Sequence, residues 1–212
     1  MLDENTKNEA KRKLSEMKEP VKLIYFDRQT QMNEHIKELL KELVELSGKI
    51  QLEMRDLTKD VDLARQYGVD TAPVIILRGK NIKGDPRYYG IPSGYEFPAF
   101  LEVLKVGSGV NGASDFVKGF FDSLPEETKI EVFVTPVCPH CPTSAYIAMK
   151  FAIASAKVKG YVYEAMEFPE IATKYRVMGV PKTVINEGKG EFVGGYPEDV
   201  AFIQIKKILA AR

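Results

Sequence analysis

Both cysteines of the 212-residue chain, Cys138 and Cys141, lie three positions apart in the stretch VTPVCPHCPTS (134–144). Such a pair could close a structural bridge, hold a metal ion or carry electrons. A bridge across two intervening residues would restrict the unfolded chain very little, and a chain of this length can bury a core without cross-links. A structural zinc site normally needs four ligands, and beside this pair the chain offers only two histidines. The pattern therefore favours redox chemistry over a bridge, a metal site or two inert core cysteines.

The residues around the pair predict how it would react. A strand precedes it and a helix follows, so we expect Cys138 at a helix N-terminus, with Pro139 at the first helical position. Unpaired amides and the helix dipole there would favour the Cys138 thiolate, and a protonated His140 would add to the effect. Pro139 and His140 are thus candidate pKa-tuning residues. Cys138, nearer the exposed end, would attack, and the more buried Cys141 would resolve the mixed disulfide.

Composition excludes several other classes of function. Hydrophobic residues make up 44% and charged residues 28% of the chain, and 30 basic residues balance 30 acidic ones. This balance gives no reason to expect nucleic acid or a membrane as partner. No apolar run approaches the roughly 20 residues of a membrane span. The charged N-terminus, MLDENTKNEAKRKLSEMKEP, has no apolar signal core, so we expect a cytoplasmic protein.

The two halves of the sequence are related by a shift of 108 residues. DLARQYGVDTAP, which ends at Pro73, aligns with EIATKYRVMGVP, which ends at Pro181. Each half predicts a strand, a long helix, a strand, a short helix, a strand opened by the proline, a further strand and a final helix. The predicted fold is α/β with two tandem units, each a mixed central sheet with helices on both faces. The small, Gly-rich stretch VGSGVNGAS separates them, which gives units of 1–110 and 111–212.

The sequence signals also set approximate limits for the elements. They predict strands at 21–26, 50–57, 130–134 and 161–166, short helices at 61–67 and 170–175, and leading helices at 3–18 and 115–124.

A cysteine pair after the first strand and Val180-Pro181 before a later strand resemble the thioredoxin fold. Two such units in one chain resemble the protein disulfide oxidoreductases, or glutaredoxin-like proteins, of archaea and thermophilic bacteria. The resemblance is carried by VFVTPVCPHCP, KYRVMGVPK and GGYPE in the second half and by RYYGIPSGYEF in the first.

The resemblance implies an enzyme of cell redox homeostasis that exchanges thiols and disulfides with protein substrates. Cys138 would be the nucleophile and Cys141 the resolving thiol, with no cofactor beyond their redox-active disulfide. It also implies a cis bond before Pro181, with the Val180 backbone against Cys138 and free to pair with a substrate chain.

The chain departs from the family in two places. The family commonly has a cysteine pair in each unit, but the shift of 108 puts Thr30 and Asn33 at the equivalent positions. The first unit would then serve as scaffold, binding surface or docking site. Thioredoxins also carry a buried acid six residues before the first cysteine, where this chain has Val132. Glu131 and Glu164 are alternative proton acceptors for Cys141, although each reads more readily as a surface carboxylate.

Three alternatives remain open at the level of sequence. The Pro-His insert resembles strongly oxidising relatives, because a stabilised thiolate favours the reduced form, whereas a cytoplasmic reductant is the rival. A silent first unit before an active second one resembles the N-terminal module of flavoprotein peroxiredoxin reductases, which implies a peroxiredoxin or a thioredoxin reductase as partner. A non-catalytic binding module or holdase would use an aromatic surface around Tyr88, Tyr89 and Tyr95.

Overall fold

The computed structural model describes residues 2–28 and 33–211. In the first half, the helices are α1 (Glu4–Leu14), α2 (Asn33–Leu46), α3 (Val61–Tyr67) and α4 (Glu96–Gly107), and the strands are β1 (Val21–Asp27), β2 (Ile50–Asp56), β3 (Val74–Gly79) and β4 (Asp85–Tyr89). In the second half, the helices are α5 (Asp115–Asp122), α6 (Cys141–Ala154), α7 (Pro169–Lys174) and α8 (Glu198–Ala210), and the strands are β5 (Thr128–Val134), β6 (Val158–Glu164), β7 (Lys182–Ile185) and β8 (Gly190–Val193). A 3₁₀ turn (Asn186–Gly188) joins β7 to β8.

Local sequence explains where several helices begin and end. The side chain of Asp3 accepts a hydrogen bond from the Thr6 amide ahead of α1, and Ser114 does the same for Val117 ahead of α5. Gly68 ends α3 with a φ of 60°, which a residue without a Cβ adopts at little cost. The two leading helices begin within one residue of their predicted starts and end earlier than predicted, at Leu14 and Asp122.

The repeat in the sequence is a repeat in the structure. The shift of 108 relates the first residues of α2 and α6, of β2 and β6, and of α3 and α7. Both halves follow the predicted order of elements, which confirms the α/β fold of two thioredoxin-like units. Strand β6 begins three residues earlier than predicted, at Val158, because the whole segment pairs with β5.

The sheets of the two halves are joined into one sheet of eight strands, in the order β2-β1-β3-β4-β6-β5-β7-β8. The joint is a parallel pairing of β4 with β6, in which Asp85 to Tyr89 lie beside Lys159 to Tyr163. Hydrophobic alternation does not reveal this pairing, because it reports which face of a strand is buried and not which strand lies next to it. The pairing satisfies backbone groups that two separate sheets would leave exposed at their edges.

Helices cover both faces of this sheet. On one face, α1, α2, α4, α5, α6 and α8 enclose a large core that includes both cysteines, and on the other α3 and α7 enclose a smaller, more aromatic core. Tyr88 and Tyr89 belong to these cores, with 1% and 3% of their surface exposed. The aromatic surface expected around Tyr88, Tyr89 and Tyr95 is therefore wrong, because β4 is an interior strand and only Tyr95 is exposed.

The connection between the halves spans residues 108–114, between α4 and α5. Strands from both sides of this connection belong to one continuous sheet. The division into folding units of 1–110 and 111–212 therefore stays a prediction. None of the helices in residues 2–28 and 33–211 has the length and apolarity needed to cross a membrane.

Candidate active site

The cysteine pair lies in the turn between β5 and α6. Helix α6 begins at Cys141, so Pro139 and His140 precede the helix and Cys138 lies three residues before it. The expectation that Pro139 takes the first helical position is therefore wrong. The Cys141 amide donates to the Cys138 carbonyl oxygen at 3.4 Å, which closes a four-residue turn. Proline is favoured at the second position of such a turn, and it is Pro142 that occupies the start of the helix.

A disulfide joins Cys138 to Cys141, whose Cα atoms are 5.5 Å apart. Cys138 retains 9% of its surface exposed, whereas Cys141 is fully buried in the large core. Cys138 is therefore the more exposed of the two cysteines, which is the order expected of an attacking and a resolving thiol.

The loop before β7 lies directly against Cys138. The Val180–Pro181 peptide bond is cis, and the Val180 carbonyl oxygen is 3.7 Å from the Cys138 Sγ atom. Pro181 is tied to the sheet through its carbonyl oxygen, which accepts a bond from the Gly194 amide at 2.8 Å. The Val180 amide has no hydrogen-bond partner in the described part of the chain, so it is available to an incoming polypeptide.

Five exposed apolar side chains lie on the cysteine turn, on the loop before Pro181 or on segments next to them, and we call them the apolar collar: Tyr95, Val137, Met166, Met178 and Val193. Met178 is 95% exposed and Val137 is 80% exposed. A cleft of about 570 Å³ opens beside the collar, with Met166, Met178 and Val180 in its lining. Methionine side chains adapt to varied apolar partners, so this surface suits polypeptide segments of different sequence.

His140 is exposed at the rim of the turn. Its backbone is held closely, because a Cβ atom at Gly195 would lie 2.5 Å from the His140 carbonyl oxygen. The loop GGYPE can therefore approach the turn only with glycine at this position. The effect of the His140 side chain on Cys138 stays a prediction.

The two alternative proton acceptors are buried, so the interpretation as surface carboxylates is wrong for both. Glu131 is 1% exposed, but it lies on the face of β5 opposite to Val132, which packs towards α6. Its Oε1 atom pairs with Lys129 at 3.0 Å. Glu164 is 3% exposed and accepts bonds from the amides of Met166 and Glu167, and burial raises its pKa. Strand alternation thus removes Glu131 from the cysteine side of the sheet.

A third acid, Glu96, comes from the first half and was not found from the sequence. It lies at the start of α4, which packs against α6. The neighbouring Tyr95 amide donates to the Pro136 carbonyl oxygen at 2.9 Å, in the loop that leads into the cysteine pair. Glu96 is 1% exposed, and burial raises its pKa to about 8. The lone acid in GYEFPAF reads as an ordinary first-turn residue of a helix, so only the packing of α4 on α6 reveals it.

Glu96 has few partners in this buried position. Its Oε2 atom accepts a bond from the Tyr88 hydroxyl at 3.4 Å, and its Oε1 atom has no partner among the described residues. Burial and the charges of Glu96, Glu164 and Glu167 raise the pKa of Tyr88. Tyr88 therefore lies near two buried carboxyls, Glu96 and Glu164, and the partly buried Glu167 at the junction of the halves.

The position in the first half that is equivalent to Cys141 holds a polar group. Asn33 is buried at the first turn of α2, and its amide donates to Asp27 Oδ1. Lys37 pairs with the other oxygen of Asp27. Thr30, at the position equivalent to Cys138, lies outside the described residues. The Ala72–Pro73 bond is cis, like its counterpart before Pro181, so the first half keeps the loop but not the sulfur chemistry.

The fold and the disulfide define a thioredoxin-fold oxidoreductase. Residues 128–209 match the thioredoxin domain family. The chain is similar to the thioredoxin of Methanocaldococcus jannaschii, with 38% identity over 85 residues that make up 39% of this chain and 98% of the relative. The chain therefore belongs to the thioredoxin family.

Two longer relatives include the first half as well. A protein disulfide oxidoreductase from Aeropyrum pernix has a similar structure, with a TM-score of 0.85, 30% identity and coverage of 97% of this chain and 94% of that one. An alkyl hydroperoxide reductase component of Escherichia coli is 25% identical over 187 residues, which are 88% of this chain and 34% of the relative. The chain thus spans about a third of the length of that reductase component.

Proposed function

We propose that the protein is a protein disulfide oxidoreductase that exchanges disulfides with protein substrates through Cys138 and Cys141. The observation that carries the proposal is that Cys138, the more exposed of the two cysteines, lies against Val180, whose amide has no hydrogen-bond partner among the described residues. A substrate chain that bonds to Val180 would present its own sulfur to Cys138. The similarity to the Aeropyrum pernix protein supports this assignment. We expect it to act in the cytoplasm, with its disulfide as the redox group and no added cofactor.

The exchange takes two steps. The Cys138 thiolate attacks one sulfur of a substrate disulfide, a new S–S bond forms, and the other substrate sulfur leaves as a thiolate. Cys141 then loses its proton, and its thiolate attacks the Cys138 sulfur. This attack releases the second substrate thiolate and leaves Cys138 and Cys141 oxidised. The reverse sequence oxidises a substrate dithiol, and the reduction potential of the pair decides the direction.

Glu96 is suited to accept the proton of Cys141. An acid with a pKa of about 8 can take up and release a proton near neutral pH, which is the condition for efficient proton transfer. The packing of α4 on α6 places it on the cysteine side of the sheet. The first half would then contribute to the reaction without any cysteine of its own.

The two cysteines can be tested separately. We expect Cys141→Ser to accumulate a mixed disulfide at Cys138, because the resolving thiol is absent, and Cys138→Ser to form none. Dithiothreitol-dependent insulin reduction should fall to the uncatalysed rate in both variants. Adducts at Cys141 in the Cys138→Ser variant would reverse the assignment of the nucleophile, and unchanged insulin reduction would contradict the proposal.

A second candidate function is electron transfer to or from another redox enzyme, such as a thioredoxin reductase or a peroxiredoxin. This role is favoured by the similarity of 88% of the chain to part of an alkyl hydroperoxide reductase. Rapid reduction of the Cys138–Cys141 disulfide by thioredoxin reductase and NADPH, or rapid oxidation of the dithiol by an oxidised peroxiredoxin, would support this role. Slow exchange with both, alongside fast insulin reduction, would contradict it.

His140 is proposed to set the redox poise. It lies inside the loop closed by the disulfide, so a positive charge there would favour the Cys138 thiolate. We expect His140→Leu to make the couple more reducing, and a shift of about 30 mV would correspond to about 1.4 kcal/mol. Equilibration against glutathione measures it. An unchanged potential would mean that the exposed imidazole acts only as a spacer.

A further inference from the structure

Two clefts meet at the end of the sheet where the cysteines lie, which is the carboxyl end of β1 and β5. The first is the apolar cleft beside Val180 and Met178, and the second, of about 400 Å³, lies beside Thr71 and Ala72 of the first half. Pro169, the first residue of α7, lines both. An extended chain could therefore pass from one cleft into the other across the N-terminal end of α7.

The second cleft has its own unbonded backbone. The amides and carbonyls of Thr71 and Ala72 have no hydrogen-bond partner among the described residues. By the shift of 108, Ala72 is the counterpart of Val180, and the segment ahead of each proline leads directly into a strand. Each half therefore offers a short backbone segment that an added polypeptide could pair with.

The two segments lie at the same end of the sheet. Strands β1, β4, β6 and β5 run in one direction, and β3 and β7 run against them, so both loops lie where β1 and β5 end. Four strand intervals separate β3 from β7 in the sheet order. At about 4.8 Å per interval the loops are about 19 Å apart, which an extended chain of about six residues spans.

We propose that the cysteine-free half binds the same substrate chain that Cys138 attacks. The occupant is an extended segment of the protein substrate, apolar beside Met178 and polar where it enters the second cleft, which Arg28, Glu167 and Glu170 line. It pairs with Val180 beside its reacting sulfur, crosses Pro169, and reaches Thr71 and Ala72 about six residues further on. Continuity of the two clefts and their unbonded backbone groups support a single chain rather than two separate ligands. This inference rests on the proposed function of Cys138.

A cross-linking experiment locates the chain directly. Two extended peptides each carry one activated cysteine, present as a thiopyridyl disulfide and flanked by apolar residues. Each also carries a benzophenone side chain about six residues from that cysteine, on the N-terminal side in one peptide and on the C-terminal side in the other. Each peptide is coupled to Cys138 in the Cys141→Ser protein, irradiated and mapped by mass spectrometry. We expect one of the two peptides to cross-link to residues 71–72 or 168–171.

A substitution that fills the second cleft provides the kinetic test. Thr71→Trp should abolish those cross-links and raise the KM for insulin about tenfold, which corresponds to about 1.4 kcal/mol of binding. Turnover of a small disulfide should not change. Thr58→Trp is the matched control, because Thr58 is exposed and lies outside both clefts.

The outcomes separate the two proposals. Coupling at Cys138 with cross-links outside residues 71–72 and 168–171 would overturn the inference and leave the proposed function intact. An equal KM for Thr71→Trp and Thr58→Trp would overturn it as well. If neither peptide couples to Cys138, the result would contradict the proposed function itself, and the inference with it.

Discussion

At the scale of single residues, the site depends on a few groups held in unusual surroundings. Cys141 and Glu96 are both fully or almost fully enclosed, and they come from different halves of the chain. An acid inside a core is held neutral at neutral pH, since burial disfavours its charged form. Glu96 is therefore mostly protonated at pH 7, and the ionised fraction that can accept the Cys141 proton grows as the pH rises towards about 8.

The stability of the protein should report this buried acid. The pKa of Glu96 is about 8 in the folded protein, against 4.5 for an ordinary glutamate. Between these values the unfolded chain ionises while the folded protein keeps its proton, so Glu96 lowers stability as pH rises from about 4.5 to 8. We expect Glu96→Gln, which does not titrate, to be more stable than the native protein at pH 9 by about 2–4 kcal/mol. Urea unfolding at several pH values measures this.

Two further measurements make the test specific. Glu126→Gln, a change at an exposed carboxylate, should leave the pH profile of stability unchanged. Loss of the proton acceptor should slow resolution of the mixed disulfide roughly 100-fold in Glu96→Gln. A stabilised variant that resolves at the native rate would show that Glu96 is only a buried acid and takes no part in the exchange.

At the scale of elements, a lysine fixes the segment that presents Val180. Lys182 opens β7 and is 3% exposed. Its Nζ atom donates to the carbonyl oxygens of Tyr175 and Arg176, just after α7, at 2.7 and 3.4 Å, and it pairs with Glu191 at 2.9 Å. One side chain thus joins both ends of the segment between α7 and β7.

We expect Lys182→Met to lower the free energy of unfolding by about 2–3 kcal/mol, because it leaves the buried carbonyl group of Tyr175 and the partly buried one of Arg176 without a donor. The KM for insulin should rise, since the segment that carries Val180 loses its anchor. Glu191→Gln keeps the carbonyl bonds and weakens only an ion pair with an exposed partner, so its effect should stay below about 1 kcal/mol. Equal effects of the two substitutions would mean that the ion pair, and not the carbonyl bonds, matters.

The sequence was most informative about the positions of the helices and strands. Apolar periodicity and the shift of 108 placed the helices and strands of both halves, and the cysteines marked the turn between β5 and α6. The predicted start of helix α6 was wrong by two residues, because Pro139 suits a turn as well as a helix. Glu96 and the burial of Tyr88 were missed, since both depend on contacts between halves that are remote in sequence.

At the scale of the whole molecule, the halves are joined by side chains as well as by backbone. Asp85 of β4 accepts bonds from Arg87 and Arg78 and from the Tyr161 hydroxyl of β6 at 2.6 Å. Arg87 lies over the ring of Tyr161, at 4.9 Å from its centre. Burial alone would raise the pKa of Asp85, but the Arg87 charge and these bonds hold it below its usual value.

Asp85→Asn should therefore destabilise the protein by about 3 kcal/mol at pH 7, because it leaves the buried Arg87 without its counter-charge. A carboxyl whose pKa is lowered stabilises the fold above its unfolded value and loses that effect as pH falls through the folded value. The difference between the variant and the native protein should shrink below about pH 4. Chemical unfolding at pH 7 and pH 3 measures it.

The control is an exposed pair of the same kind. Asp62 pairs with Arg65, and its side chain is 97% exposed, so Asp62→Asn should cost less than about 1 kcal/mol at either pH.

We also expect both halves to unfold in a single transition by calorimetry. Two separate transitions in the native protein would contradict the view that the joint couples the halves.

The shared sheet gives a reason why a first half without cysteines is still needed. Deleting that half would uncover β6 as a bare sheet edge, and exposed edges of this kind promote aggregation. Selection on the chemistry of the first half can thus weaken while selection to keep β4, the strand that covers β6, continues. Through β4 the first half therefore has a structural role that does not depend on cysteines of its own.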